Sequence, residues 1–158
     1  RTATLLPHAK SDFYKATFNF ALGVRGDSTQ PPMRNRFHLH YGSFTYDGDS
    51  DWIQIPRGHD SLSRIKDLGR LGWTDVYDVP FLPALQVPYD GALMLSSRGG
   101  ALVLSPEDTI VKAVAGHLYL VRVKDRETDL YAMFRIESLK PSEECHISWK
   151  VVPSPEQP

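Results

Sequence analysis

Two-residue alternation is the strongest regular signal in the chain. From Tyr14 to Leu22 the even positions are Tyr14, Ala16, Phe18, Phe20 and Leu22, with Lys15, Thr17, Asn19 and Ala21 between them. Side chains of an extended segment point alternately to its two faces, so this stretch predicts a strand with one dry and one wet face. A second strand is predicted from Arg36 to Tyr46, where Phe37, Leu39 and Tyr41 alternate with His38 and His40 on the wet side. After Gly42 the large residues change parity to Phe44 and Tyr46, which predicts a bulge or bend. Asp47-Gly48-Asp49-Ser50 reads as a hairpin turn and Asp51 to Ile55 as the returning strand.

Shorter β signals follow. Leu62 to Leu68 reads as a strand, with one helical turn as the alternative, Trp73 to Val79 alternates again, and Thr109 to Ala115 is β-branched and apolar at its start. Ala92 to Leu95 and Ala101 to Leu104 flank Ser96-Ser97-Arg98-Gly99-Gly100 as a hairpin. Val24 to Arg34, with Gly26 and the Pro31-Pro32 pair, reads as loop, and Pro80, Pro83 and Pro88 confine their stretch to an edge or loop. The last third is the most regular. Leu118 to Lys124, Leu130 to Glu137 and His146 to Val152 are strands joined by short polar turns, a three-stranded antiparallel meander. Arg1 to Ala9 is compatible with pairing at an edge strand, of this domain or of a neighbour, or with a frayed terminus.

No long apolar pattern with a helical period interrupts these strands. The expected fold class is therefore all-β, an antiparallel β-sandwich or a closed β-barrel. At 158 residues the chain suits one β domain over 1–152, with the proline-rich 153–158 as an extended tail. A net charge of -1, evenly mixed along the chain, gives no field that favours nucleic acid. Cys145 stands alone, which excludes an intramolecular disulfide and a thiolate metal cluster. No apolar run is long enough for a transmembrane helix. The chain starts at Arg1, which fits a removed signal peptide and an arbitrary boundary equally.

Four sets of residues carry candidate chemistry, each with a structural alternative. Asp47, Asp49 and Asp51 offer carboxylates at alternate positions to calcium, although Trp52 and Gly58 stand where an EF-hand loop needs Gly and Glu. The alternative is a solvated turn. His38 and His40, with His59 in Pro56-Arg57-Gly58-His59, suit a cupin-like transition-metal site, against two surface histidines on a wet strand face. Trp52, Trp73 and Tyr77 can stack on sugar rings, against burial in the core; Trp149 is expected in the core. For nucleophilic catalysis, His59, Asp60, Ser61 and Ser63 are neighbours without an elbow motif. Cys145 and His146, adjacent on a strand, should face opposite ways.

The run Gly116-His117-Leu118-Tyr119-Leu120-Val121-Arg122, followed by Lys124-Asp125 and Tyr131-Ala132-Met133-Phe134-Arg135-Ile136, resembles a module recurring in uncharacterised exported bacterial proteins. The Asp67-Leu68-Gly69 turn ahead of Trp73 resembles it too. The resemblance implies a β architecture and an extracellular, periplasmic or cell-envelope location, and no activity. Read as structure, Gly116 permits a tight turn into the strand, Tyr119 shares a face with Val121 and Val123, and Arg122 and Arg135 are placed to pair with acids such as Glu137.

The sequence thus points first to a non-catalytic exported or envelope domain engaged in binding or assembly, with other envelope proteins or its own copies as partners. The alternatives are a carbohydrate-binding module with structural calcium and a cupin-like metal-dependent protein.

Overall fold

The computed structural model describes residues 1–26, 37–42, 48–55, 61–76, 78–85 and 109–158. Ten strands appear among them: β1 (Thr2–Leu5), β2 (Thr17–Asn19), β3 (Val24–Arg25), β4 (Leu39–Tyr41), β5 (Trp52–Gln54), β6 (Arg64–Asp67), β7 (Ile110–Lys112), β8 (Leu118–Lys124), β9 (Asp129–Lys140) and β10 (Glu144–Val152). They form two five-stranded antiparallel sheets, ordered β1-β10-β9-β8-β6 and β3-β2-β4-β5-β7. The fold is all-β and sandwich-like; neither sheet closes into a barrel. Among the described residues no helix is long and apolar enough to cross a membrane.

The predicted meander is the centre of the first sheet, and its inward residues form the core. Tyr119, Val121, Ala132, Phe134, Ile136, Ile147 and Trp149 pack against Phe18, Phe20, Leu39, Tyr41 and Ile53 of the second sheet. Phe134 lies between Tyr119, stacked at 4.8 Å, and Phe20, stacked at 6.1 Å. Alternation therefore has a physical outcome here: one set of side chains from each sheet interdigitates in a dry layer. Trp149 joins that layer, as expected, with Phe18 and Phe20 at 5.1 and 5.8 Å.

The outer face of the meander is covered as well. Leu118, Leu120, Tyr131, Met133 and Val152 form a second cluster under Leu68, Leu71, Trp73, Val76, Val79 and Leu82. That covering segment is irregular, and side chains of the sheet hold its backbone in place. Tyr131 Oη donates to Leu82 O at 2.9 Å and accepts from Leu82 N–H at 3.3 Å. Arg122 donates to Leu82 O at 3.1 Å, and Arg135 Nε to Leu71 O at 3.2 Å. The described residues of Trp73 to Val79 thus do not form the predicted strand. Asp75 turns the chain by accepting Gly72 N–H at 2.6 Å, and the apolar residues meet the sheet at spacings of a turn.

Several other boundaries depart from the alternation. Tyr14–Ala16 is a 3₁₀ turn, and the strand that follows is only Thr17–Asn19. Asn19 ends it: its side chain accepts Leu22 N–H and its carbonyl accepts Gly23 N–H, so Leu22 swings into a turn and is exposed. Val24–Arg25, read as loop, pairs back on β2 as β3. His38 and His40 are buried rather than wet. The parity change at Phe44 and Tyr46 and the hairpin around residues 96–100 lie outside the described residues. Residues 1–9 resolve in favour of this domain's own sheet: β1 pairs with β10 from Thr2↔Ser148 to Leu5↔Cys145.

Tyr119 fixes the crossing between sheets. Its hydroxyl donates to Lys112 O at 2.8 Å and accepts Val114 N–H at 3.0 Å, tying the end of β7 to the start of β8. This is the geometry of a tyrosine corner. Replacing it with phenylalanine keeps the ring and orphans both backbone groups. Tyr119→Phe is expected to lower stability in urea denaturation by about 1–3 kcal/mol. A loss of a few tenths would show the corner to be incidental.

Candidate functional site

Chemistry-bearing side chains gather in three places. The first is the turn between β9 and β10, where it meets β4 and β5. Asp51 is buried and accepts the Tyr41 hydroxyl at 2.5 Å and Ser142 N–H at 2.9 and 3.0 Å, one to each oxygen. Burial and this bond to Asp51 push the Tyr41 phenol well above its usual range. Ser142 holds a left-handed backbone, φ 56°, and its hydroxyl receives Ser50 N–H. Asp49 receives Asp51 N–H at 2.7 Å and pairs with Lys112. Of the proposed calcium ligands, Asp49 and Asp51 are thus adjacent but already engaged by donors and a cation, and Asp47 lies outside the described residues. Their visible role is to clasp the second sheet onto the β9–β10 turn.

The second place lies where Pro7 and His8 cross the end of β4. Gly42 allows the crossing: its φ is 65°, and a Cβ there would stand 2.4 Å from Pro7 Cβ. Ala9 N–H donates to Gly42 O at 2.9 Å. This docking brings His8 Nδ1 to 3.1 Å from His40 Nε2. Phe13 stands edge-on to both rings, at 5.6 and 5.1 Å, and Phe37 edge-on to His40 at 5.4 Å. His38 has other company. Its Nδ1 accepts Phe20 N–H at 3.1 Å and its ring stacks on Phe20 at 6.3 Å. The structure thus joins His40 to His8, a residue the alternation did not single out, and gives His38 a neutral role as a backbone acceptor. His59 lies outside the described residues, and among those described no three His, Cys, Asp or Glu side chains converge.

The third place unites the residues that carry the resemblance. His117 Nδ1 lies 3.0 Å from both Asp67 carboxylate oxygens. Asp67 also receives Gly69 N–H at 2.7 Å, and Gly69 O receives Leu118 N–H at 2.9 Å. Gly116, at φ 84°, turns the chain into β8. The Asp67-Leu68-Gly69 turn and the Gly116-His117 turn are therefore two halves of one clasp at the end of β6 and β8. Arg122 forks onto Asp129 with two bonds of 3.0 Å, and Arg135 pairs with Glu137, which also receives the Ser148 hydroxyl.

The tryptophans are occupied by cations. Lys112 Nζ sits 5.1 Å from the Trp52 ring, Lys150 Nζ 4.8 Å from Trp73 and the Arg1 guanidinium 5.1 Å from Trp149. Trp73 also packs on the outer cluster and donates Nε1–H to Ser148 at 3.1 Å. Tyr77 lies outside the described residues. Cys145 is enclosed in the core, where burial pushes its thiol up, while His146 turns the other way to Thr4 Oγ1 at 2.8 Å.

Searches of protein-family models, curated proteins and solved structures found no match to this chain.

Burial lowers the His38 pKa to about 4, against a smaller upward pull from Asp125. The unfolded chain, with an ordinary value near 6.5, therefore binds more protons than the folded one between about pH 6.5 and 4. The contribution of His38 is complete above that window and is lost as pH falls through it, up to about 3 kcal/mol. His38→Asn keeps an acceptor for Phe20 N–H and cannot titrate. Stability measured by urea from pH 7 to 4.5 should fall less steeply in the variant; parallel curves would contradict the assignment.

Proposed function

We propose that the protein is a non-catalytic exported or cell-envelope β domain that serves binding or assembly within a larger complex. The observation that carries this reading is the engagement of reactive groups among the described residues. Asp51 is saturated by Tyr41 and Ser142, His117 is held by Asp67, His38 accepts a backbone bond, and the Cys145 thiol is sealed in the core. A general acid–base or nucleophilic site needs such groups within reach of a substrate in a cleft. Here they work as clasps between strands and turns. The exported location draws its support from the resemblance of the Gly116–Arg122 strand and the Asp67-Leu68-Gly69 turn.

The contact surface of this reading is the end of the sandwich at the β2–β3 turn. The large apolar side chains exposed among the described residues are Leu22, Val24 and Val151, at 60, 44 and 48%. Leu22 and Val24 flank Gly23, whose α-carbon faces the Trp149 ring. Val151 shares Trp149's face of β10, beyond the last residue that β1 covers. Leu22 and Val24 stand two residues apart on this turn, and exposed apolar side chains grouped in this way favour contact with another protein chain.

Sedimentation velocity over a range of concentrations tests this end as a self-assembly surface. The wild-type chain is expected to form species larger than its 17.8 kDa monomer as concentration rises. The Leu22→Asp, Val151→Asp double variant should remain monomeric with an unchanged melting temperature. A wild type that stays monomeric throughout removes self-assembly through this surface.

A further inference from the structure

We infer that His8 and His40 form a chelating site for a borderline divalent transition metal such as Zn²⁺, Ni²⁺ or Cu²⁺. His8 Nδ1 and His40 Nε2 stand 3.1 Å apart. Two imidazole nitrogens bound to one such ion at about 2.0–2.1 Å take up this separation when the angle at the metal is roughly 100°. The ring centroids are 5.0 Å apart and the planes tilt by 33°. Rings whose nitrogens met head-on across that gap would lie farther apart, so the two lone pairs do not point straight at one another.

In the metal-free pair, one facing nitrogen must carry a proton and the other accept it. A divalent ion replaces that single proton and uses both lone pairs, which is the ordinary exchange of proton for metal at an imidazole site. Imidazole nitrogen suits Zn²⁺, Cu²⁺ and Ni²⁺ and disfavours the oxygen-seeking Ca²⁺ and Mg²⁺.

The surroundings are built for a held pair. His40 is buried on a central strand of the second sheet, so its ring is positioned by the fold. His8 is half-buried on a 3₁₀ turn, which leaves an approach from solvent. The Gly42 crossing fixes the distance between their backbones. Phe13 and Phe37 wall the pair with ring edges, and an apolar wall of this kind limits solvent around a metal. With two protein ligands, solvent completes the coordination shell. The site shares His40 with the pair expected from the His38-Leu39-His40 spacing but replaces His38 by His8. It does not depend on the binding or assembly role proposed above.

Isothermal titration of the full metal-free chain with ZnCl₂ and with NiCl₂ tests the inference, alongside His8→Ala, His40→Gln and His59→Ala. His8→Ala removes a half-exposed side chain on a turn, so it keeps the test meaningful even where His40→Gln disturbs the fold. One ion per wild-type chain is expected, with binding at least tenfold weaker in His8→Ala and unchanged in His59→Ala. Electron paramagnetic resonance of the Cu²⁺ form should show nitrogen coupling that is reduced in His8→Ala. No binding by the wild type overturns the inference. So does binding that survives His8→Ala, or binding that is lost in His59→Ala while His8→Ala retains it.

Discussion

The covering of both faces of the β8–β9–β10 meander is the constraint on which the rest of the molecule depends. Its inner face supplies Tyr119, Val121, Phe134, Ile147 and Trp149 to the layer between the sheets, and its outer face supplies Leu118, Leu120, Tyr131 and Met133 to a second cluster. Each fully buried side chain of this size contributes roughly 1.5–3 kcal/mol from removal of apolar surface from water. A sheet buried on both faces needs two partners. The second sheet is one, and the irregular segment from Leu68 to Leu82 is the other. Among its described residues that segment has little backbone pairing of its own, and Tyr131, Arg122 and Arg135 reach out from the meander to bond its carbonyls.

Polar side chains follow the same logic. A buried or half-buried polar group costs stability unless it is bonded, and in this fold the bonds are made between elements distant in sequence. Asp51 joins β5 to the β9–β10 turn, His117 joins β8 to β6, and Tyr119 joins β8 to the end of β7. The His8–His40 pair is of another kind: it links two nitrogens of like chemistry where the chain crosses the end of β4, with one ring half-buried and open to exchange.

Strands with an inward face were legible in the sequence, because the residues of that face recur at every second position over many residues. The meander, the burial of Trp149, the shared face of Tyr119 with Val121 and Val123, and the opposed directions of Cys145 and His146 all follow from it. Short elements were legible only in part. The alternation through Tyr14 and Leu22 extends past the true ends of β2, since Asn19 captures the following amides in a turn, an effect of one side chain that periodicity does not register. The wet-face reading of His38 and His40 failed for a related reason. Alternation separates two faces but does not tell which neighbours cover the second; here Phe13, Phe37 and the Pro7–His8 crossing cover His40, while His38 meets Phe20. His8 is 32 residues from His40, and nothing local in the sequence marks it as a partner. The nearest sequence signal was Gly42, whose left-handed backbone was anticipated as a bend and proves to be the point where Pro7 docks.

If the doubly covered meander is the keystone, its amides should be the last to open. Native-state hydrogen–deuterium exchange measures this residue by residue. The slowest exchange is expected at the centres of β8 and β9, around Leu120, Val121, Ala132 and Met133, which pair with each other in register, with β3 opening earlier. Protection greatest in β2, β4 and β5, with β8 and β9 exchanging first, would contradict the account.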